Sequence, residues 1–196
     1  MSNIRLWISH NTGAVIAFCL FLLLYVFYSS LHPRGFTTDL FVQNSNEALA
    51  LIFVSMAQTM VVILGGIDLS VGSLMTLVNA AASELVIGTG WEIALGIVLC
   101  LLLGLGGGLL NGLIIVYGRL QPIVVTLATG AVFTGCALLI RPTPGGEVDG
   151  DLSWVATNAL SELPATYGWW DGDPPGWFNL IAGIPMPIVI LVAVIL

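Results

Sequence analysis

The sequence contains no lysine; Arg5, Arg34, Arg119 and Arg141 account for all 4 of its basic residues. A P-loop needs a lysine to reach the nucleotide phosphates, so these residues cannot build one. Charge of either sign is scarce, at 8% of 196 residues, where a soluble domain carries about 25%. With 58% hydrophobic residues and a mean hydropathy of +1.04, the composition is that of a multispanning membrane protein. A soluble globule with one anchor is excluded. The two histidines, His10 and His32, flank the first apolar run and read as interfacial. Cys19, Cys100 and Cys136 lie singly in apolar runs, form no C-x-x-C pair and read as small buried hydrophobes. No metal site is visible. The net charge of −7 also argues against nucleic acid, which requires a basic surface.

What is present is a series of apolar runs. A spanning helix needs about 20 mostly apolar residues. Such runs occur at 13–31, 48–67, 69–87, 92–117 and 123–140, and a sixth begins at 184 and is still apolar at Leu196. Arg5 ahead of the first run suggests a signal peptide. No small-residue cleavage site follows it and further spans do, so the run is expected to be an uncleaved first helix. The fold class is therefore all-α: a polytopic transmembrane helix bundle, one domain over 1–196. The apolar ending suggests part of a longer chain.

In the fourth run Gly96, Cys100, Gly104, Gly108 and Gly112 recur every four residues. Small residues at this spacing let helix backbones approach closely, and contact then replaces the hydrophobic drive that lipid cannot supply. Gly104, Gly108 and Gly112 are thus expected to form a packing stripe, against a helix of this chain or of a second subunit.

Between the second and third runs the sequence reads Gly65-Gly66-Ile67-Asp68-Leu69-Ser70-Val71-Gly72-Ser73. A carboxylate at the centre of a spanning helix costs roughly 2.5–3.5 kcal/mol even on the lenient insertion scale. Non-helical backbone at membrane depth is tolerated only where protein or a water-filled cavity surrounds it. The segment is therefore expected to be a broken-helix region in a protein-lined interior, as in a transport protein. Asp68 has three open roles. It can cap the third helix, whose free N–H groups and positive end favour an ionised acid; it can line a path or gate; or it can relay protons. Ser70 can share the cap, and Gly65-Gly66 permits a sharp turn. Gln58 and Thr59 before the break, and Asn79 after it, are candidate lining residues, because intramembrane polar groups default to a bundle interior. Glu84 lies near a helix end and reads as wet. Asn111 and Thr126 read as path or as helix caps.

The stretch 141–181 is the one sizeable non-spanning segment, and 6 of the 11 acidic residues fall between 147 and 173. It carries Trp154, Trp169, Trp170 and Trp177. Loops longer than about 12–15 residues are usually functional or disordered. Its tryptophans fit an interfacial belt, sugar stacking, or a docking face built from Trp154, Trp169, Trp170 and Asp171. Enzyme signatures fail. Isoleucine precedes Asp68 where an intramembrane aspartyl protease has glycine, and Asp68 to Gly72 lacks the first glycine of G-x-S-x-G.

Three blocks in order resemble the permeases of bacterial ABC importers for ribose, xylose, galactose and related sugars. The first is residues 59–73, with Gly65-Gly66-Ile67-Asp68-Leu69-Ser70-Val71-Gly72-Ser73 at its centre. The second is Asn111-Gly112-Leu113-Ile114-Ile115 followed by Gln121-Pro122-Ile123-Val124-Val125-Thr126-Leu127, with Gln121 where proline is more usual. The third is Gly183-Ile184-Pro185-Met186-Pro187. The resemblance implies a permease of about ten helices, acting as a dimer in the bacterial inner membrane. It implies a cytoplasmic ATPase subunit that binds ATP and Mg, with no cofactor in this chain, and a periplasmic sugar-binding protein. The count of arginines does not set orientation; the resemblance implies a cytoplasmic N-terminus and a periplasmic 141–181 loop. The alternative class is an ion-coupled secondary transporter or channel, with Asp68 as its ion or proton site.

Overall fold

The protein is described by a computed structural model covering residues 10–33, 35, 37–162, 175–176 and 178–195. Helices α1 (Thr12–Leu31), α2 (Thr38–Ile63), α3 (Val71–Leu85), α4 (Gly90–Gly118) and α5 (Pro122–Ile140) are followed by shorter ones. These are α6 (Gly150–Thr157), a 3₁₀ turn (Leu160–Glu162), α7 (Phe178–Ile181) and α8 (Met186–Ile195). The all-α class holds, and α1, α4, α5 and the Leu40–Ile63 part of α2 are each long and apolar enough to cross a membrane.

α3 is the exception. Its 15 residues reach about 22 Å at 1.5 Å per residue, short of the roughly 30 Å hydrocarbon core. The expected third run began at 69. The helix instead starts at Val71, because residues 64–70 turn and extend before it. Gly65 makes the turn at φ +77°, a conformation that side-chain-bearing residues rarely adopt. α2 starts ten residues ahead of the expected 48, at Thr38, where the Thr37 hydroxyl accepts the Leu40 N–H at 3.4 Å. That first stretch is polar, so hydropathy alone does not reveal it.

The packed centre is α3 between α4 and α5. Leu77 and Ala80 of α3 bury against Phe133 and Ala137 of α5. Ala81 and Val86 bury against Cys100 of α4. Most other apolar side chains on these helices are exposed, as are those of α1 from Ile16 to Leu31. In water this would be untenable; against lipid tails it costs nothing.

The five small residues on α4 wind round the helix. Positions four apart advance 400° on a 3.6-residue helix, so each step drifts by about 40°, and Gly112 lies about 160° round from Gly96. The buried face is Gly96, Cys100, Gly107 and Asn111 instead. A Cβ on Gly96 would collide with the Leu85 carbonyl, and one on Gly107 would sit 2.6 Å from Leu74 Cδ1. Gly104 only touches Val78, at 4.0 Å, while Gly108 and Gly112 have nothing within 4 Å. Among the described residues no atom of another helix lies within 4 Å of a Cβ built at Gly108 or Gly112.

The segment after α5 is more ordered locally than a plain loop. Asp149 caps α6, its Oδ1 accepting from Asp151 and Leu152 N–H at 3.1 and 3.2 Å. The Asp149 N–H donates to the Val86 carbonyl at 2.8 Å, tying the segment to the end of α3. The start of α8 is fixed in turn. Leu160 N–H donates to Ile184 O and Met186 N–H to Asn158 O, both at 3.0 Å, and Asn46 of α2 donates to Thr157 O at 2.7 Å.

Candidate functional site

The break between α2 and α3 is held by polar side chains from three helices. Gln58 of α2 donates Nε2–H to the Asp68 carbonyl at 3.0 Å. Thr126 of α5 accepts the Leu69 N–H at 3.1 Å and donates to its own Pro122 carbonyl at 2.8 Å. Asn111 of α4 donates Nδ2–H to Ser70 Oγ at 2.8 Å. Backbone polar groups taken out of water need partners, and here α2 and α5 supply them to a segment that cannot use helical bonding, while α4 holds the Ser70 side chain.

Asp68 does not cap α3 in the expected manner. Its Oδ1 accepts the Ser70 N–H at 2.8 Å and the Ser70 hydroxyl at 2.6 Å, a tight turn that ends just before the helix. Ser70 is the N-cap residue, and its side chain makes no cap bond to the first turn. It is wholly buried at 0% exposure and passes the contact from Asp68 on to Asn111.

A recess of about 380 Å³ lies beside this network, with Gly65, Asp68, Gly108, Asn111 and Gly112 among its walls. Ile115, Val116 and Pro122 make its walls mainly apolar. The two glycines that were expected to pack are open here because they face this space.

The other candidates separate. Gly66 fits closely, a Cβ there lying 3.3 Å from Val61 Cγ1. Gly72 is exposed in the first turn of α3, its carbonyl accepting from Thr76 at 2.9 Å. Ser73 is half-buried against Gly130 of α5. Thr59 is exposed and donates to the Ser55 carbonyl of its own helix at 2.6 Å, away from the break. Asn79 lies past the middle of α3, away from the break, where with Ser83 and Trp154 it lines a recess of about 720 Å³. Trp169, Trp170 and Asp171 lie outside the described residues.

Two features were missed by sequence reasoning. Arg141, at the end of α5, donates to Ser83 Oγ and lies 3.5 Å from Glu84 Oε1; no local spacing announces a pair 57 residues apart. Asn111 and Thr126, read as path or as helix caps, bond across to the break. The signal was present in their apolar surroundings, since an amide inside a spanning run needs a partner from another helix.

Residues 41–196 match the family described as "Branched-chain amino acid transport system / permease component". Among curated relatives, the autoinducer 2 import system permease protein LsrD of Escherichia coli (strain K12) is 28% identical over 172 residues, covering 87% of this chain and 47% of the relative. LsrD of Shigella flexneri gives the same figures. The chain thus spans about half the length of the curated relatives it matches. No solved structure matches. All three sequence blocks fall inside the matched residues, and the chain belongs to this family of transport-system permease components.

Proposed function

We propose that the chain is part of the membrane-spanning permease subunit of an ATP-binding-cassette importer, carrying a monosaccharide or related polyol. A cytoplasmic ATPase would bind ATP and Mg and drive alternation between outward- and inward-facing states. A periplasmic binding protein would deliver the substrate, and a second permease subunit would complete the pathway. The protein would sit in the bacterial inner membrane, N-terminus in the cytoplasm and the 141–181 segment in the periplasm. The observation that carries this reading is the family match over 41–196. The absence of lysine from these residues supports a separate ATPase, since no P-loop can be built from them. The cargo is the finer step. The family description names branched-chain amino acids and LsrD is named for autoinducer 2, while the motif blocks resemble sugar permeases, so the polyol class rests on those blocks.

The test is purification of the full-length protein from its native membrane in mild detergent, with mass spectrometry and an ATPase assay. A co-purifying ATPase, stimulated by a sugar-loaded binding protein, is expected. Purification without any nucleotide-hydrolysing partner, with uptake abolished by a protonophore and in Asp68→Asn, would replace this reading with ion-coupled transport.

A further inference from the structure

The recess at the break holds an acceptor with no donor. The Asn111 side-chain oxygen Oδ1 is buried and has no hydrogen-bond partner, and the residue is only 4% exposed. Its orientation follows from the network. The Ser70 N–H can only donate, so Asp68 Oδ1 is an acceptor, 2.8 Å away. The Ser70 hydroxyl, 2.6 Å from that same oxygen, then gives its one proton there. Ser70 Oγ is left to accept, which turns the Asn111 NH₂ toward it and the carbonyl oxygen away. Asp68 and Asn111 thus both line the recess with acceptor oxygens not bound to a donor from another helix, and Thr126 has already committed its hydroxyl proton to Pro122.

We propose that this recess is a binding site for a small polyhydroxylated molecule, whose hydroxyl protons go to Asn111 Oδ1 and the Asp68 carboxylate. An unmet buried acceptor is costly, by about 1–3 kcal/mol, which a ligand hydroxyl would relieve. The size and walls select the ligand class. A hard cation takes about six or more oxygens in a close shell, whereas here a space of about 380 Å³ has two acceptor side chains, Asp68 and Asn111, among walls that include Val61, Ile115, Val116 and Pro122. Small-molecule sites combine such apolar walls with a few placed polar groups. A polyol presents C–H faces to the apolar walls and hydroxyl edges to the acceptors. Gly108 and Gly112 supply the room, since any side chain there would project into open space.

The proposal rests on the permease reading only for the choice of a sugar as probe. Saturation-transfer NMR with D-ribose and xylitol, on the full-length protein in detergent, would compare wild type with Gly112→Leu, Asn111→Leu and the control Gly135→Leu. Gly135 is likewise open but lies outside the recess. The expected result is a saturable signal weakened at least tenfold in Gly112→Leu and Asn111→Leu and unchanged in Gly135→Leu. An equal signal in wild type and Gly112→Leu, or none for either probe in wild type, would overturn it. So would sodium raising the melting temperature of wild type but not of Asp68→Asn while no sugar signal is seen, which marks an ion site. ATP-driven uptake by the reconstituted complex separates the two readings. Uptake intact in Gly112→Leu sinks the recess site and leaves the permease standing, whereas wild-type protein without ATP-driven uptake sinks the permease itself.

Discussion

The two ends of α3 carry similar polar inventories and use them differently. At the N-terminal end a half-buried Asp68 meets Ser70, Asn111 and Thr126, each of these three under 5% exposed. At the C-terminal end Ser83, Glu84 and Arg141 meet at a rim, with the Glu84 side chain 53% exposed. The first set replaces helical bonding for a broken backbone, so each group has a fixed donor or acceptor duty. The second bridges α3 and α5 where water can take over either charge. Placement, more than residue type, decides what a polar group is worth: buried and singly partnered groups cost their full desolvation when a partner is lost, whereas exposed ion pairs contribute about 0–1 kcal/mol.

The largest effect should come from Asp68→Leu, which strips the acceptor from both the Ser70 N–H and the Ser70 hydroxyl. At about 1–3 kcal/mol per buried donor left unmet, the loss should total roughly 2–6 kcal/mol, read as unfolding in mixed SDS micelles by tryptophan fluorescence. Asp68→Asn keeps a carbonyl oxygen for both bonds and should lose less than about 1 kcal/mol. An Asn variant as damaged as the Leu variant would show that charge, not turn geometry, holds the break. Gly96→Leu should follow at about 1–3 kcal/mol, the usual range for overpacking, because its Cβ would occupy the place of the Leu85 carbonyl. Gly112→Leu, one of the glycines open to the recess, should leave stability within about 0.5 kcal/mol. That pair tests directly which face of α4 is packed.

The same contrast explains what the sequence made legible. Spans α1, α4 and α5 show themselves because lipid demands an unbroken apolar run, and Asp68 with its glycines shows because it violates that demand. The stripe is harder to read, because a spacing of four looks like a face over two turns and drifts away over four, a point that only a 3.6-residue count exposes. α6 is hidden in a polar stretch where no bilayer imposes hydropathy, although Asp149 ahead of Gly150 and Asp151 is a capping signal. The Asn111–Ser70 contact joins residues 41 apart in sequence, and only tertiary packing brings them together.

Two smaller predictions bear on the comparison itself. Asn111→Leu removes the Ser70 partner but also removes an unmet oxygen, so its net cost should be about 1–2 kcal/mol, near the upper range for interhelical bonds in membranes. Arg141→Ala should cost less than about 1 kcal/mol, since its carboxylate partner is half in solvent and its hydroxyl partner Ser83 keeps the bond it already donates to the Ala80 carbonyl at 2.8 Å. Salt sharpens the difference. Raising ionic strength from about 0.01 to 0.15 M shortens the Debye length from about 30 to 8 Å, so the Arg141→Ala deficit should shrink while the Asn111→Leu deficit stays fixed. An Arg141→Ala deficit that is large and insensitive to salt would mean that the rim is closed to water, and the two ends of α3 would then be alike.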